Sequence, residues 1–106
     1  MKPIEPSRMA DADSVRAIGY LTREAGPDTG AAFVKELSRA YEQLSIFPAS
    51  GSPRIADLVG VPGLRSWTLK TFHYLICYRE ETERVFVWRV LHTKQDLPGE
   101  LADFLE

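Results

Sequence analysis

The sequence contains one cysteine, two histidines and no long hydrophobic run. One cysteine excludes an internal disulfide, and Cys77, inside the apolar run 75–78, is expected to be a reduced core residue. These three residues lie far apart and lack zinc-site spacing, so neither a metal nor a small-molecule cofactor is expected. No apolar stretch approaches the roughly 18 residues of a membrane span, and charges interrupt the first 20 residues. We therefore expect a cytoplasmic protein without a membrane partner.

An excess of charge of one sign is also missing from the chain as a whole. The formal net charge is −2 over 106 residues, which argues against a nucleic-acid coat protein. The distribution is uneven: residues 51–94 carry seven basic and four acidic side chains, whereas residues 95–106 carry four acidic and no basic ones. The length allows one core, so residues 1–106 are expected to form a single domain too small for a doubly wound dinucleotide-binding fold.

The first half of the chain begins with an edge-strand signal and then shows helical periodicity. Residues 2–8 are short and proline-rich, which suits an edge strand. A helix is expected to begin near Ala12, capped by Asp11 or Asp13. Its buried side is expected to carry Val15, Ile18, Leu21 and Thr22.

A second helix follows the Gly26-Pro27 pair, which ends the first. Asp28 or Thr29 is expected to cap it, and its apolar stripe runs from Phe33 to Phe47. Because a link of about three residues joins the two helices, they should pack as an antiparallel hairpin.

The second half changes to the alternation that is typical of strands. Residues 48–63 are rich in proline and glycine and are expected to form a loop, with a short turn at 55–59. Strands are expected at 64–70, 72–79 and 84–92, with a charged hairpin turn at 80–83. A short helix from Gln95, with Pro98 in its first turn, closes the chain. The order predicts an α+β two-layer sandwich in which the helical hairpin packs on a three- to four-stranded, mainly antiparallel sheet.

Three segments in this order resemble the ParE toxins of the RelE/ParE superfamily. They are residues 47–54 (FPASGSPR), residues 62–67 (PGLRSW) and residues 87–92 (VWRVLH). The resemblance covers residues 3–98 and implies the toxin half of a bacterial type II toxin–antitoxin pair. It further implies a toxin–antitoxin hetero-oligomer with a ParD-like antitoxin, and DNA gyrase as the target.

RelE-like relatives instead cut messenger RNA in the ribosome, and this alternative stays open. Such cleavage needs a base, an acid and cations, for which the candidates are Arg65, Arg89 and His92. No tyrosine or histidine follows His92, a departure from the nuclease pattern that favours a gyrase inhibitor without catalysis. A third alternative is a non-toxic interaction module with the same fold.

The expected partner contacts fall on the hairpin and on the sheet. A partner could cover the hairpin groove and the sheet edge by helix docking and strand addition. The antitoxin-binding residues are predicted to be Tyr20, Leu21, Phe33, Leu37, Tyr41, Arg65 and Arg89. The target-binding residues are predicted to be Arg54, Trp67 and Lys94. As structural alternatives, Arg65 and Arg89 would point to the sheet face away from the helices, Arg54 would brace its loop, and His92 would pair with Asp96.

Overall fold

The computed structural model describes residues 1–94 and 97–100. In chain order the elements are β1 (Ile4–Pro6), α1 (Arg8–Ala25), α2 (Pro27–Ile46), a 3₁₀ turn (Pro48–Ser50), α3 (Arg54–Val59), β2 (Leu64–Thr68), β3 (Tyr74–Glu80), β4 (Val85–His92) and α4 (Leu97–Glu100). The strands form one sheet in the order β1-β4-β3-β2, parallel only between β1 and β4. The predicted α+β fold, with its edge strand, helical hairpin, antiparallel meander and short last helix, is confirmed.

The first helix begins earlier than expected and buries other residues. Ser7 caps it, since its side-chain oxygen accepts the Ala10 N–H at 3.0 Å. The predicted start near Ala12, with an aspartate cap, is therefore wrong. The prediction that Val15 lies on the buried side of this helix is also wrong, because its side chain is 69% exposed. The buried residues are Ala10, Asp13 and Ala17, a stripe of two alanines and one charge that an apolar pattern does not reveal.

A single residue links the two helices, rather than about three. Gly26, with φ of 96°, ends α1 and precedes α2, whose first residue is Pro27. Neither Asp28 nor Thr29 caps α2, because Pro27 already fixes a helical φ at the first position. Only a residue without a Cβ adopts this φ without strain.

The main core lies between the hairpin and one face of the sheet. Phe33 and Leu44 of α2 pack there with Ile76, Tyr78 and Val87. Phe47, the predicted end of the apolar stripe, lies beyond α2 and is exposed.

A smaller cluster covers part of the opposite face. The segment predicted as a loop contains α3, whose Ile55 and Val59 pack with Leu75, Cys77 and Trp88. The sheet is thus covered on both faces near α3, which explains why the central part of β3 is apolar on both sides.

A β-bulge in β4 changes the sheet face to which the later residues of the strand point. Cys77 pairs with Arg89 and Tyr78 with Val87, so Trp88 is an extra residue on the β4 side. A bulge of this kind shifts the alternation by one residue. Val87 and Val90, three positions apart, can therefore both face the hairpin core.

Candidate partner-binding site

Arg89 forms a buried ion pair, so it is not a surface contact. Its Nε and Nη2 donate to the two carboxylate oxygens of Asp13 on α1 at 2.7 and 2.9 Å. The side chains of Arg89 and Asp13 are only 7% and 3% exposed. Asp13 also accepts the Val90 N–H at 3.0 Å, on the side of β4 that β1 no longer covers. The prediction that Arg89 binds an antitoxin, or points away from the helices, is corrected because its guanidinium is committed to Asp13.

Hydrogen bonding and burial set the protonation of this region. The hydrogen bonds that Arg89 donates to the Asp13 carboxylate raise the pKa of Arg89, so the guanidinium stays charged. Burial raises the pKa of the Cys77 thiol to about 12, only partly opposed by Arg89. A thiol with this pKa has almost no thiolate at neutral pH, which fits the expected inert core cysteine.

Arg65 braces the loop that follows α2. Its guanidinium donates to the carbonyl oxygens of Ala49 and Gly51, at 3.3 and 2.9 Å. Tyr78, directly across from Arg65, binds the same loop: its hydroxyl donates to Pro48 and accepts the Gly51 N–H. Paired residues share a sheet face and Tyr78 lies in the hairpin core. Arg65 is therefore on the helix side, which corrects the expected orientation.

Two of the predicted hairpin contacts are core residues. Phe33 is 0% and Leu37 is 8% exposed, so neither can meet an antitoxin in this conformation. Leu21 and Tyr41 are partly buried against the same core. Tyr20, by contrast, is 50% exposed and remains available as a contact.

Tyr20 lies in an open groove that we call the aromatic groove. Its lining residues are Tyr20, Tyr74, His92 and Lys94, and its volume is about 360 Å³. Tyr74 and His92 meet edge to face with ring centroids 5.2 Å apart. A smaller cavity of about 160 Å³ between α1 and β4 shares Tyr20 and Tyr74 with the aromatic groove, and Asp13 and Arg16 also line it.

The aromatic groove offers stacking surface, hydroxyl groups and one cation. Burial, and next the neighbouring Tyr20, raise the pKa of Tyr74, so its hydroxyl is protonated and can donate. The Lys94 backbone N–H donates to His92 Nδ1 at 3.1 Å, which orients the imidazole ring. Tyrosine is enriched at protein interfaces, whose rims are polar and solvent-accessible.

The three nuclease candidates do not come together. Arg65 and His92 pair with Tyr78 and Tyr74, which are four residues apart on β3, or about 13 Å along the strand. Arg89, between them in sequence, is held by Asp13. In this arrangement the three side chains do not converge on one phosphate.

The remaining predicted target contacts lie apart from each other. Arg54 is exposed at the start of α3, on the opposite side of the sheet from the hairpin. Trp67 lines a second groove, the α2–β2 groove, of about 430 Å³. That groove is lined by Glu36, Arg39, Ala40, Gln43, Trp67, Leu69 and Lys70. Only Lys94 of the three predicted target contacts lines the aromatic groove, while the predicted His92–Asp96 pair falls outside the described residues.

Within residues 1–94 and 97–100, no group of three or more histidine, cysteine, aspartate or glutamate side chains could hold a metal ion. In the same part of the chain, no helix is long and apolar enough to cross a membrane.

A family model matches residues 4–97, nearly the whole chain, and describes the ParE toxin of the type II toxin–antitoxin system parDE. The chain belongs to this ParE toxin family. It is also similar to a solved structure described as the chromosomal ParDE TA system from P. aeruginosa, with 21% sequence identity and a TM-score of 0.73. That similarity covers 87% of this chain and 96% of the other, and it shows that the two share a fold. No curated protein matches the sequence.

The family assignment makes this ParE chain a toxin component with an antitoxin protein as its partner. Several residues of its surfaces were not singled out from the sequence. Asp13 is one of the two predicted helix caps, although its spacing of three and four from Ala10 and Ala17 places it on a buried face. The strand pattern gives Tyr74 no role beyond its strand, and Lys70 counts only as one of the cations in residues 51–94. Of these, only Asp13 carried a signal in its spacing.

Proposed function

We propose that this ParE-family chain inhibits DNA gyrase by binding it, and that a cognate ParD-like antitoxin neutralises the toxin in a hetero-oligomer in the bacterial cytoplasm. The aromatic groove is the proposed contact surface for both partners. It contains Tyr20, expected to meet the antitoxin, and Lys94, expected to meet the target. Two partners that need one groove exclude each other, so neutralisation follows from competition.

The observation that carries this proposal is that Tyr20 and Lys94, predicted as contacts for different partners, line one groove. The separation of Arg65, Arg89 and His92 supports inhibition by binding rather than by RNA cleavage, since acid–base catalysis requires groups within reach of one substrate. An aromatic surface with an exposed lysine is suited to an anchored protein contact.

The test combines induced expression with a supercoiling assay on purified gyrase. We expect growth arrest with DNA-damage induction and loss of supercoiling activity. Tyr20→Ala and Lys94→Glu should each weaken both gyrase inhibition and antitoxin binding, by about tenfold for the tyrosine. Lys35→Glu, an exposed change on α2 outside the groove, is the matched control and should leave both unchanged.

Three outcomes would contradict the proposal. Rapid translation arrest with intact supercoiling would indicate a RelE-like nuclease. The absence of any growth defect would indicate a non-toxic interaction module. Variants that lose gyrase inhibition while keeping full antitoxin affinity would show that the two partners use separate surfaces.

A further inference from the structure

The solvent-facing side of α1 carries three arginines in line, which we call the arginine row. Arg16 follows Arg8 by eight residues and precedes Arg23 by seven, and all three residues are exposed. At 1.5 Å and 100° per residue, they are about 12 and 10 Å apart along the helix axis and lie within an arc of about 80°. Between them the arc contains only Ala12 and Gly19, whose small size leaves the row open to a partner.

Most of the positive charge of the row is not neutralised. Arg8 and Arg23 form no ion pair and no side-chain hydrogen bond with any residue that the structure describes. The guanidinium of Arg23 lies over Gly19, where an added Cβ would be 3.3 Å from Nη1 of the arginine. Arg16 donates to Asp13 Oδ1 at 2.6 Å, but the arginine side chain is 67% exposed and the Asp13 carboxylate also binds a buried guanidinium. The row therefore keeps N–H donors available to an anionic ligand.

Neither carboxylates nor large apolar side chains interrupt the row. Asp11, Asp13 and Glu24, the acidic residues of α1, lie at least about 60° outside the arc. The exposed apolar residues Met9 and Val15 lie beyond its two opposite margins, so they do not form one patch. A protein partner would therefore find no large apolar anchor in the row, although such anchors carry most of the binding energy of protein interfaces.

A nucleic-acid backbone fits the row better, because it offers regular negative charge and needs no apolar anchor. Guanidinium groups match the geometry of phosphate oxygens. Duplex DNA carries a phosphate at about every 3.4 Å of rise along each strand, so the spacing of about 10–12 Å within the row corresponds to about three nucleotides. Phosphate contacts of this kind position a protein on DNA without reading the base sequence.

The arginine row borders the aromatic groove. Arg16 and Tyr20 line the same small cavity between α1 and β4, and Tyr20 also lines the aromatic groove. A gyrase molecule that occupies this groove brings its bound DNA close to α1. We propose that the arginine row contacts the phosphate backbone of the DNA that gyrase holds, without sequence preference. This inference rests on the proposed function, which places gyrase in the neighbouring groove.

The first experiment measures the affinity of the purified toxin for a fluorescent DNA duplex of about 20 base pairs, between about 20 and 150 mM salt. A chain with net charge −2 should bind weakly, so the salt dependence is the diagnostic quantity. Each phosphate contact contributes about −0.9 to the slope of log K against log salt, so three contacts predict a slope of about −2.7. Absence of binding at the lowest salt, or a slope near zero, would overturn the proposal.

Variants of the row test whether its charge carries the contact. Combining Arg8→Gln, Arg16→Gln and Arg23→Gln should remove most of the slope, because each lost phosphate contact reduces the slope by about 1. The corresponding triple variant with Arg→Lys at each position keeps the charge and should keep the slope. A glutamine variant with the native slope would contradict the proposal, as would a lysine variant that has lost it.

A matched control removes the same charge elsewhere. Combining Lys35→Gln, Arg39→Gln and Lys70→Gln, all at exposed positions outside α1, should leave the slope within about 0.5 of the native value. Equal slopes in the two glutamine variants would show that net charge, and not the row, determines binding. Tighter binding of polyglutamate than of a duplex of equal charge would replace the DNA assignment by an acidic protein segment.

Binding to gyrase then separates this inference from the proposed function. The glutamine variant of the row should bind gyrase alone as tightly as the native toxin does, but should bind the gyrase–DNA complex at least about tenfold more weakly. Equal affinities of the variant and the native toxin for the gyrase–DNA complex would show that the row does not meet this DNA. If the native chain fails to inhibit gyrase, the proposed function is wrong, whereas the salt slopes still decide whether the row binds phosphate.

Discussion

Replacing Asp13 by alanine should be one of the most destabilising single changes in this chain. The Asp13 carboxylate accepts hydrogen bonds from Arg89 Nε, Arg89 Nη2, the Val90 N–H and Arg16, all between 2.6 and 3.0 Å. Without it, the guanidinium of Arg89 loses its main partner and the Val90 N–H loses its acceptor, both in a buried site.

The magnitude follows from the burial of the pair. Removal of one partner from a buried ion pair costs about 3–5 kcal/mol. A domain of 106 residues has a free energy of unfolding of about 5–15 kcal/mol. Asp13→Ala therefore removes a large fraction of the total stability.

A double variant distinguishes a lost charge partner from lost packing. Asp13→Leu with Arg89→Met removes both charges, ends the hydrogen bond from Arg89 to the Glu100 carbonyl oxygen and leaves the buried Val90 N–H without its acceptor, which costs about 1–3 kcal/mol. The double variant should thus be more stable than Asp13→Ala alone. Arg16→Ala, which removes only the exposed partner of Asp13, should cost less than about 1 kcal/mol.

Urea unfolding followed by circular dichroism measures these differences in free energy. A loss below about 1 kcal/mol for Asp13→Ala would refute the reasoning, because it would mean that the pair is hydrated in solution. The single variants Asp13→Leu and Arg89→Met complete the cycle, and a loss in the double variant equal to the sum of these two losses would also refute the reasoning, since residues in contact should not behave additively.

Two further predictions concern the loop after α2 and a charged turn. Gly51→Ala should destabilise the fold by about 1–3 kcal/mol. The reason is that a Cβ at this position would lie 2.8 Å from the Ser66 carbonyl oxygen and would collide with the Tyr78 hydroxyl. Thermal unfolding measures this loss. Gly19→Ala, within α1, is the control and should instead stabilise by up to about 1 kcal/mol, and equal effects would contradict the close-approach argument. Hydrogen bonds from Arg84, and next from Arg79, lower the pKa of Glu81 from its ordinary value of 4.5. The Glu81 carboxylate therefore stabilises the fold above that value, and the contribution disappears as the pH falls through the lowered pKa. Glu81→Gln should flatten this part of the acid unfolding profile, and an unchanged profile would refute the assignment.

Much of the fold was predictable because its signals are local. The apolar stripe that includes Phe33, Leu37 and Leu44 has helical spacing, and the alternation in β2 and β4 has the strand period. Gly26-Pro27 marks the break between the helices, and the charged residues 80–83 mark the hairpin turn. These patterns identify which elements form and which faces are apolar. Together with the sequence motifs at residues 47–54 and 62–67, they also indicate the ParE family.

The candidate site was less predictable because its residues are distant in sequence. Tyr20 and Lys94 were both expected to be contacts, but no pattern placed them in one groove. Phe33 and Leu37 were expected at the antitoxin surface, yet an apolar helix stripe has the same spacing whether a partner or the core covers it.

The sequence by itself thus determined the order of the four strands and the two long helices, the α+β class and the family, because periodicity and short motifs depend only on neighbouring residues. Tertiary structure alone decided that Arg89 meets Asp13, 76 positions away, that Arg65 turns to the helix side, and that Arg39 and Lys70, beside Trp67, form no ion pair with any described residue. The physical reason is that strand register, the bulge at Trp88 and the packing of α1 on β4 fix these contacts. Each of the three depends on the whole chain having folded.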